Sequence, residues 1–357
     1  MKDEFFIKRA LLLAARAKGR TSPNPMVGAL IVKNGKIISE GFHKKAGTPH
    51  AEIIAIENAG EKAKGSALYV SLEPCCHKDK RTPPCTQKII SSGIKKVVIA
   101  IKDPNPKVSG KGISELKGAG IEVISGVLEE KAEKLNESYI KYITTGMPFV
   151  IMKTAMTLDG KIATPDGQSK WITGETSRKM VHRLRSSVDA VMTAIGTVKA
   201  DDPSLTARIR GGKNPTKIII DPDLKIAMNA NILKSPADTI IVTRVSNNKS
   251  NKLELSGTKL IYYQDILELN WLIKILVREG ITSILIEGGS SLNSYALRDG
   301  IVDKLMVFIA PKIIGGKDSF TPVGGNFFRK LEDAYRIKGF KVRNIGEDIL
   351  IEGYIQK

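Results

Sequence analysis

The first 146 residues alternate between helically spaced apolar positions and short apolar runs. Met1 to Gly19 places apolar side chains at helical intervals, which predicts an amphipathic helix. Two β-rich runs flank Asn34-Gly35, a strong hairpin signal. After them, helical stretches separate the strand-like runs ALYVSLEP, KKVVIAI and IEVISGV. Strands separated by single helices predict a largely parallel sheet with helices on both faces.

The same alternation restarts after a charged helical stretch that ends at Gly146. FVIMKTAMT opens as a strand, and SRKMVHRLRSSVDAV follows as a predicted helix. Further strands are predicted at PTKIIIDP, DTIIVTR, KLIYY, TSILIEGG and DKLMVFIAPKIIG, and an exposed loop near Asn247 to Asn251. The pattern predicts two α/β domains, 1–146 and 147–357, since it restarts near Thr145 to Pro148.

Composition agrees with a two-domain globular protein. The chain has 357 residues, 42% of them hydrophobic and 26% charged, which is an ordinary balance for a folded protein. The sequence contains no run of about 18 apolar residues, so no membrane span is predicted. Asp3 and Glu4 near the start, without a small-residue cleavage site, favour a folded helix over a signal peptide. We therefore expect a cytoplasmic protein with no membrane partner.

A net charge of +19 raises the question of nucleic acid. The lysines are scattered through both halves, often beside acidic residues, and no arginine-rich tract is interleaved with aromatics. We expect no nucleic-acid partner. The charge is compatible with small anionic ligands such as phosphate esters and dinucleotides. The oligomeric state is left open, and a homo-oligomer is compatible with the sequence.

The strongest chemical signal is a set of metal-ligand residue types. The three cysteines, Cys75, Cys76 and Cys85, lie in one short segment, which argues against a disulfide framework. With His50 they offer the imidazole and thiolate ligands that zinc takes, and a catalytic site leaves a fourth position for water. Glu52 would then be the acid/base. This order of residues is the signature of zinc nucleobase deaminases.

Two cysteines compete for one ligand position. We expect Cys75 rather than Cys76 to join His50 and Cys85, because Pro74 fixes the backbone just before Cys75. Adjacent side chains in an extended or turning segment point apart, so both are not expected to reach one metal.

A weaker signal lies in the second domain. IEGGSSLNSYA puts a glycine pair between a strand and a helix, where backbone N–H groups can receive a phosphate. It lacks the Gly-x-Gly-x-x-Gly spacing of a Rossmann fingerprint. An ordinary structural turn is an equally good interpretation of this segment alone.

The first domain resembles the deaminase half of the bifunctional riboflavin biosynthesis deaminase/reductases in five segments: SPNPMVGALIV, AGTPHAE, LEPCCH, RTPPC and DPNP. KTAMTLDGKIA, SKWITG, VMTAIGTVKADDPSLTAR and LIEGGSSLN resemble the reductase half. The resemblance covers nearly the whole chain. It implies a cytidine-deaminase-like domain followed by a dihydrofolate-reductase-like domain, with Zn²⁺ and NADPH as cofactors.

The resemblance also implies a role for individual residues. It makes His50, Cys75 and Cys85 zinc ligands and Glu52 the proton shuttle, and Lys153 is a catalytic candidate. Implied substrate contacts in the first domain are Asn24, His43, His77, Arg81, Asp103 and Asn105. Implied substrate contacts in the second domain are Ser169, Arg185, Leu205, Arg208 and Glu287. Implied NADPH contacts are Ala155, Trp171, Thr197, Asp201, Gly289, Ser290, Ser291, Leu292, Asn293, Ser294 and Tyr295.

The chain departs from the family between the cysteines. The family usually has one residue fewer there, and Lys78-Asp79-Lys80 replaces a shorter stretch with glycine. Cys76 would restore the usual spacing, so the ligand choice stays open at this point.

The implied reactions are deamination of 2,5-diamino-6-ribosylamino-4(3H)-pyrimidinone 5′-phosphate and NADPH-dependent reduction of its ribosyl group to ribityl. The alternative is a nucleic-acid (tRNA) deaminase with an accessory domain. That alternative shares the zinc motif but leaves the second domain unexplained.

Overall fold

The computed structural model describes residues 2–77, 83–234, 239–325 and 330–356. The chain divides into two compact units, Met1–Met147 and Pro148–Lys357. Each unit is built around a separate sheet and hydrophobic core. None of the helices in the described part of the chain combines the length and apolarity needed to cross a bilayer.

The first unit is a five-stranded sheet with helices. Its strands are β1 (Gly28–Lys33), β2 (Lys36–Phe42), β3 (Ala67–Val70), β4 (Lys96–Ile99) and β5 (Glu122–Ser125). Its helices are α1 (Lys2–Ala15), α2 (Ala51–Ala59), α3 (Cys85–Ser91), α4 (Lys111–Gly118), α5 (Glu129–Leu135) and α6 (Glu137–Thr145). The strand order is β2-β1-β3-β4-β5. β1 is antiparallel to both neighbours, and β3, β4 and β5 are mutually parallel.

Glycines let two helices approach this sheet closely. A Cβ on Gly28 would lie 2.1 Å from the carbonyl oxygen of Ala10 in α1, and one on Gly41 would lie 2.4 Å from that of Ala51 in α2. Gly41 pairs with Ala29, the neighbour of Gly28, so the two glycines face opposite sides of the sheet. The helices therefore cover both faces, and α2 begins directly over the sheet.

The second unit is a nine-stranded sheet. Its strands are β6 (Phe149–Thr157), β7 (Ala190–Ala194), β8 (Thr216–Ile220), β9 (Thr239–Thr243), β10 (Lys259–Tyr262), β11 (Ser283–Ile286), β12 (Lys304–Ala310), β13 (Ile337–Ile345) and β14 (Asp348–Ile355). Its helices are α7 (Glu175–Arg185), α8 (Ile195–Asp201), α9 (Asn231–Lys234), α10 (Asn248–Leu255), α11 (Leu269–Arg278) and α12 (Ser290–Arg298). The order β10-β9-β8-β7-β11-β6-β12-β14-β13 is parallel up to β12, and β14 is antiparallel to β12 and β13.

Two sequence predictions in this unit were wrong. The helix predicted to run to Val191 ends at Arg185, and β7 begins at Ala190. The buried Asp189 carboxylate accepts hydrogen bonds from Thr282 and Ser283, which draws the chain into the sheet beside β11. The segment predicted as an exposed loop is the start of α10, because Asn247 forms a capping box with Ser250.

Candidate functional site

Three loop or helix-start positions of the first unit converge on one point. His50 is the residue before α2, Cys75 follows β3, and Cys85 opens α3. The Nδ1 atom of His50 lies 3.2 Å from Cys85 Sγ and 3.5 Å from Cys75 Sγ. The three candidate ligand atoms all lie within 4.8 Å of one another. Val108 and Ile53 pack against the cysteines.

The cluster fits a zinc ion. Zinc–sulfur and zinc–nitrogen bond lengths in a tetrahedral site place a sulfur and a nitrogen roughly 3.6 Å apart, close to the observed separations. Two thiolates and one imidazole leave a fourth position for a reactant. Cys76 is not part of this cluster among the described residues, so the structure brings together the trio favoured by the Pro74 argument.

Glu52 lies in the first turn of α2, two residues beyond His50. Its side chain is buried, and its Oε2 atom has no hydrogen-bond partner among the described residues. Burial raises the pKa of Glu52, and Cys75 adds to the effect while His50 opposes it. A carboxyl group that holds its proton more tightly than usual, beside a zinc cluster, is suited to moving protons.

The expected pyrimidine contacts Asn24 and His43 lie next to the cluster. The Asn24 side-chain amide donates to Nε2 of His43 at 3.3 Å, and Nδ1 of His43 donates to the Pro49 carbonyl at 3.3 Å. The rings of His43 and His50 are 5.4 Å apart. Burial lowers the pKa of His43, which favours the neutral imidazole that this bonding requires.

Asp103 and Asn105 lie on the loop that follows β4. The Asp103 carboxylate accepts from the Tyr139 hydroxyl and from the Asn105 backbone N–H, both at 2.9 Å. Burial raises the pKa of Asp103 to about 6, and the negative charges of Glu73 and Cys75 add to the shift. His77 follows Cys76 directly and is partly buried. Arg81 lies outside the described residues.

Two residues that sequence reasoning missed, the buried Asn136 and the partly buried Tyr139, hold these segments. Asn136 accepts from the Met26 backbone N–H at 2.8 Å and donates to the Met26 carbonyl at 3.0 Å, which holds the loop that carries Asn24. Tyr139, on α6, holds Asp103. Neither residue belongs to a recognisable motif, because the contacts connect positions far apart in sequence.

In the second unit three partly buried charged side chains meet, on α7, on β6 and directly after β11. Arg185, at the end of α7, donates to Glu287 through Nε at 2.6 Å and Nη2 at 2.9 Å. Lys153 on β6 lies 3.9 Å from the same carboxylate. Burial alone would raise the pKa of Glu287, but Arg185 and Lys153 lower it. Burial lowers the pKa of Lys153, with Arg185 adding and Glu287 opposing.

The pairing engages one edge of the Arg185 guanidinium. One edge of its guanidinium is used by Glu287, and Nη1 donates to the Thr206 carbonyl at 3.3 Å. The Nε/Nη2 edge is therefore occupied by a carboxylate, and the substrate contact expected of Arg185 stays a prediction. Arg208 is more exposed, has a positive φ of 50°, and donates to Ser204 Oγ at 2.5 Å. Leu205 also has a positive φ, 48°, and is buried.

The glycine pair lies where β11 meets α12. Gly289 is the residue before α12, and a Cβ on Gly288 would lie 2.9 Å from Leu292. A Cβ on Gly289 would lie 3.6 Å from the Thr197 hydroxyl, so α8 and the glycine turn are neighbours. Backbone N–H groups at the start of α12 can therefore receive a phosphate near Thr197.

The other expected NADPH contacts differ in accessibility. Leu292, Asn293 and Ser294 have buried side chains, whereas Ser290, Ser291 and Tyr295 are at least partly exposed. Ala155 lies on β6. In the loop after β6, the Ser169 hydroxyl donates to the carboxylate of Asp201, at the end of α8, at 2.6 Å. The exposed Trp171 ring lies under the Arg178 guanidinium, 4.7 Å from its centre.

We expect the Glu287→Ala variant to lower the free energy of unfolding by about 3 kcal/mol, because it leaves the Arg185 side chain, which is only 14% exposed, without its carboxylate. Urea unfolding monitored by circular dichroism measures the loss. Glu279→Ala is the matched control, since Glu279 pairs with Lys259 at the surface. Equal stability of the two variants would show that the Arg185–Glu287 pair contributes no more to the free energy of unfolding than a surface pair does.

Comparisons with known proteins cover both units. The family model of the RibD C-terminal domain matches residues 148–351, and that of the cytidine and deoxycytidylate deaminase zinc-binding region matches residues 1–101. The riboflavin biosynthesis protein RibD of Aquifex aeolicus is 47% identical over 98% of this chain and 97% of its own length. That of Escherichia coli K12 is 39% identical over 98% and 99%.

Two solved structures resemble the whole chain. Acinetobacter baumannii RibD (form 1) is 37% identical, with a TM-score of 0.90 over 100% of this chain and 99% of the other. A diaminohydroxyphosphoribosylaminopyrimidine deaminase/5-amino-6-(5-phosphoribosylamino)uracil reductase from Thermotoga maritima is 38% identical. Its TM-score is 0.89 over 99% of both chains.

Proposed function

This chain belongs to the RibD family of riboflavin biosynthesis proteins, and we propose that each unit performs one of two successive reactions. The first unit removes an amino group from 2,5-diamino-6-ribosylamino-4(3H)-pyrimidinone 5′-phosphate. The second unit reduces the ribosyl group of the product to ribityl with NADPH. The observation that carries the proposal is the His50, Cys75 and Cys85 cluster with the buried Glu52 beside it.

In the first unit His50, Cys75 and Cys85 would hold zinc. Zinc held there would lower the pKa of a water molecule, so that hydroxide would be available near neutral pH to add to the ring carbon that carries the amino group. Glu52 takes the proton from that water and passes it to the departing amino group, which leaves as ammonia. The neutral His43 and Asn24 orient the pyrimidine. Asp103 and Asn105 bind on the side of the ribose phosphate.

In the second unit the chain positions the sugar and supplies a proton. NADPH supplies the hydride, which goes to C1′ of the ring-opened imine. The imine nitrogen then needs a proton, and the Lys153 ammonium is its source, because burial makes that group more acidic than an ordinary lysine. Glu287 holds Lys153 in place, and Arg208 takes the phosphate ester. Thr197 and the glycine turn at Gly289 bind the dinucleotide.

Two further properties follow from the proposal. The metal thiolates need a reducing compartment, which supports a cytoplasmic location. A nucleic-acid deaminase would have no use for the second unit, and the RibD C-terminal domain match extends through that unit. We therefore keep the phosphorylated pyrimidine as the substrate.

We expect residues 147–357 alone to oxidise NADPH when the deaminated pyrimidine is supplied, because Lys153, Arg185 and Glu287 all lie in that unit. Absorbance at the NADPH band measures the reaction, and the diaminopyrimidine offered to the same fragment is the negative control. A fragment that is folded by circular dichroism but binds no NADPH would contradict the assignment of the second unit.

A further inference from the structure

One buried carboxylate joins the loop after β4 to the start of α4. Glu73 is only 3% exposed. Its Oε2 accepts from the backbone N–H groups of Asp103 at 3.1 Å and Gly110 at 3.0 Å. Its Oε1 accepts a third N–H, from Ile113, at 3.1 Å. A single side chain therefore fixes both ends of the segment 103–110.

Glu73 also supplies what α4 lacks. The residue before α4 is Gly110, in the left-handed region with φ 81°, and it offers no side chain to cap the helix. Instead, the Glu73 carboxylate accepts hydrogen bonds from the Gly110 and Ile113 N–H groups at the start of the helix, where a negative charge is favourable. A Cβ on Gly112 would lie 2.2 Å from the Pro74 carbonyl oxygen, so the first turn is pressed against the Glu73-Pro74 chain.

The segment held in this way connects the metal cluster with the expected phosphate side. Its buried Val108 packs against Cys75 and Cys85. Asp103 and Asn105 lie at its other end, where the Asn105 backbone N–H donates to the Asp103 carboxylate. The position of these two side chains relative to the cluster therefore depends on how firmly the segment is anchored.

We propose that Glu73 is a positioning residue for substrate binding, which acts by holding segment 103–110 so that Asp103 and Asn105 meet the ribose phosphate. Its oxygens accept three backbone N–H groups, so it works through the segment rather than through the reacting atoms. This inference rests on the proposed deaminase function. It predicts that Glu73 governs the KM of deamination and not the retention of zinc.

The test is Glu73→Gln in the full chain, with ammonia release as the assay. Whichever way the glutamine amide turns, its NH₂ faces at least one backbone N–H, so one hydrogen bond is replaced by a repulsive contact. We expect KM for the diaminopyrimidine phosphate to rise about tenfold or more. We expect kcat to stay within about threefold, because Glu73 does not take part in the proton transfers. Zinc content, measured by atomic absorption, should be unchanged.

The matched control is Glu115→Gln on the same helix. Among the described residues Glu115 accepts one hydrogen bond, from the Thr86 hydroxyl at 2.9 Å, and a glutamine oxygen can accept it equally well. Gly112→Ala is a second variant that leaves the carboxylate in place but forces the first turn of α4 away from Pro74. It should reproduce the rise in KM.

A wild-type chain that releases no ammonia would refute the proposed function itself. If the wild type is active, an unchanged KM in Glu73→Gln overturns only the positioning role. Loss of zinc with the same substitution would assign Glu73 to the metal segment instead. Failure of both Glu73→Gln and Gly112→Ala to fold would make Glu73 purely structural and would equally overturn the inference.

Discussion

Glu52→Gln is expected to lower kcat for ammonia release about 10²- to 10⁴-fold while zinc stays bound, because the amide cannot carry protons but replaces no ligand. Glu52 lies beside the cluster, and its Oε2 has no hydrogen-bond partner within the described ranges. The neutral glutamine also removes the cost of burying a charge, so the fold should not weaken. Ammonia release, zinc content and thermal unfolding are measured on the same preparation.

Glu57→Gln on the same helix is the control for this substitution. Glu57 is exposed on α2 and lies outside the cluster, so its variant should match the wild type. Zinc loss from Glu52→Gln would show that Glu52 is a ligand. Near-normal ammonia release would remove it from the proton path.

The second large effect concerns the doubled cysteine. We expect Cys75→Ser to reduce bound zinc from about one ion per chain to a small fraction and to abolish deamination, because a serine hydroxyl is a poor zinc ligand. Reduction of the deaminated pyrimidine should persist, since its residues lie in the other unit. Zinc is measured by atomic absorption and reduction by NADPH absorbance.

Cys76→Ser is the adjacent control and should keep both zinc and deamination, because Cys76 lies outside the His50, Cys75 and Cys85 cluster. The reverse pattern, with zinc lost from Cys76→Ser and kept by Cys75→Ser, would make Cys76 the zinc ligand. The extra residue of this loop would then lie before the ligand rather than after it.

Local signals made part of the structure predictable from sequence. The Asn34-Gly35 turn has φ 51° and 74°, as its composition requires. The helical stretches predicted around the strand-like runs correspond to helices such as α2 and α3, which begin at Ala51 and Cys85 and so place His50, Glu52 and Cys85. The helix that was extended too far, to Val191, shows the limit, because the helical pattern continues past Arg185 while a tertiary contact of Asp189 takes over.

Long-range contacts explain what the sequence could not supply. Arg185 and Glu287 are 102 positions apart, and nothing in either segment shows that they pair. Asn136 reaches Met26 across 110 positions. The hairpin of β13 and β14 was not predicted, and β13 is exposed along most of its length.

The central claim is that one chain first deaminates and then reduces, and a coupled assay tests it most directly. The zinc-loaded chain receives the diaminopyrimidine phosphate and NADPH, and ammonia and NADPH are followed together. We expect equal amounts of ammonia released and NADPH oxidised. After chelation of zinc both signals should stop, and supplying the deaminated pyrimidine should restore NADPH oxidation alone. NADPH oxidation from the diaminopyrimidine without ammonia release would contradict the account.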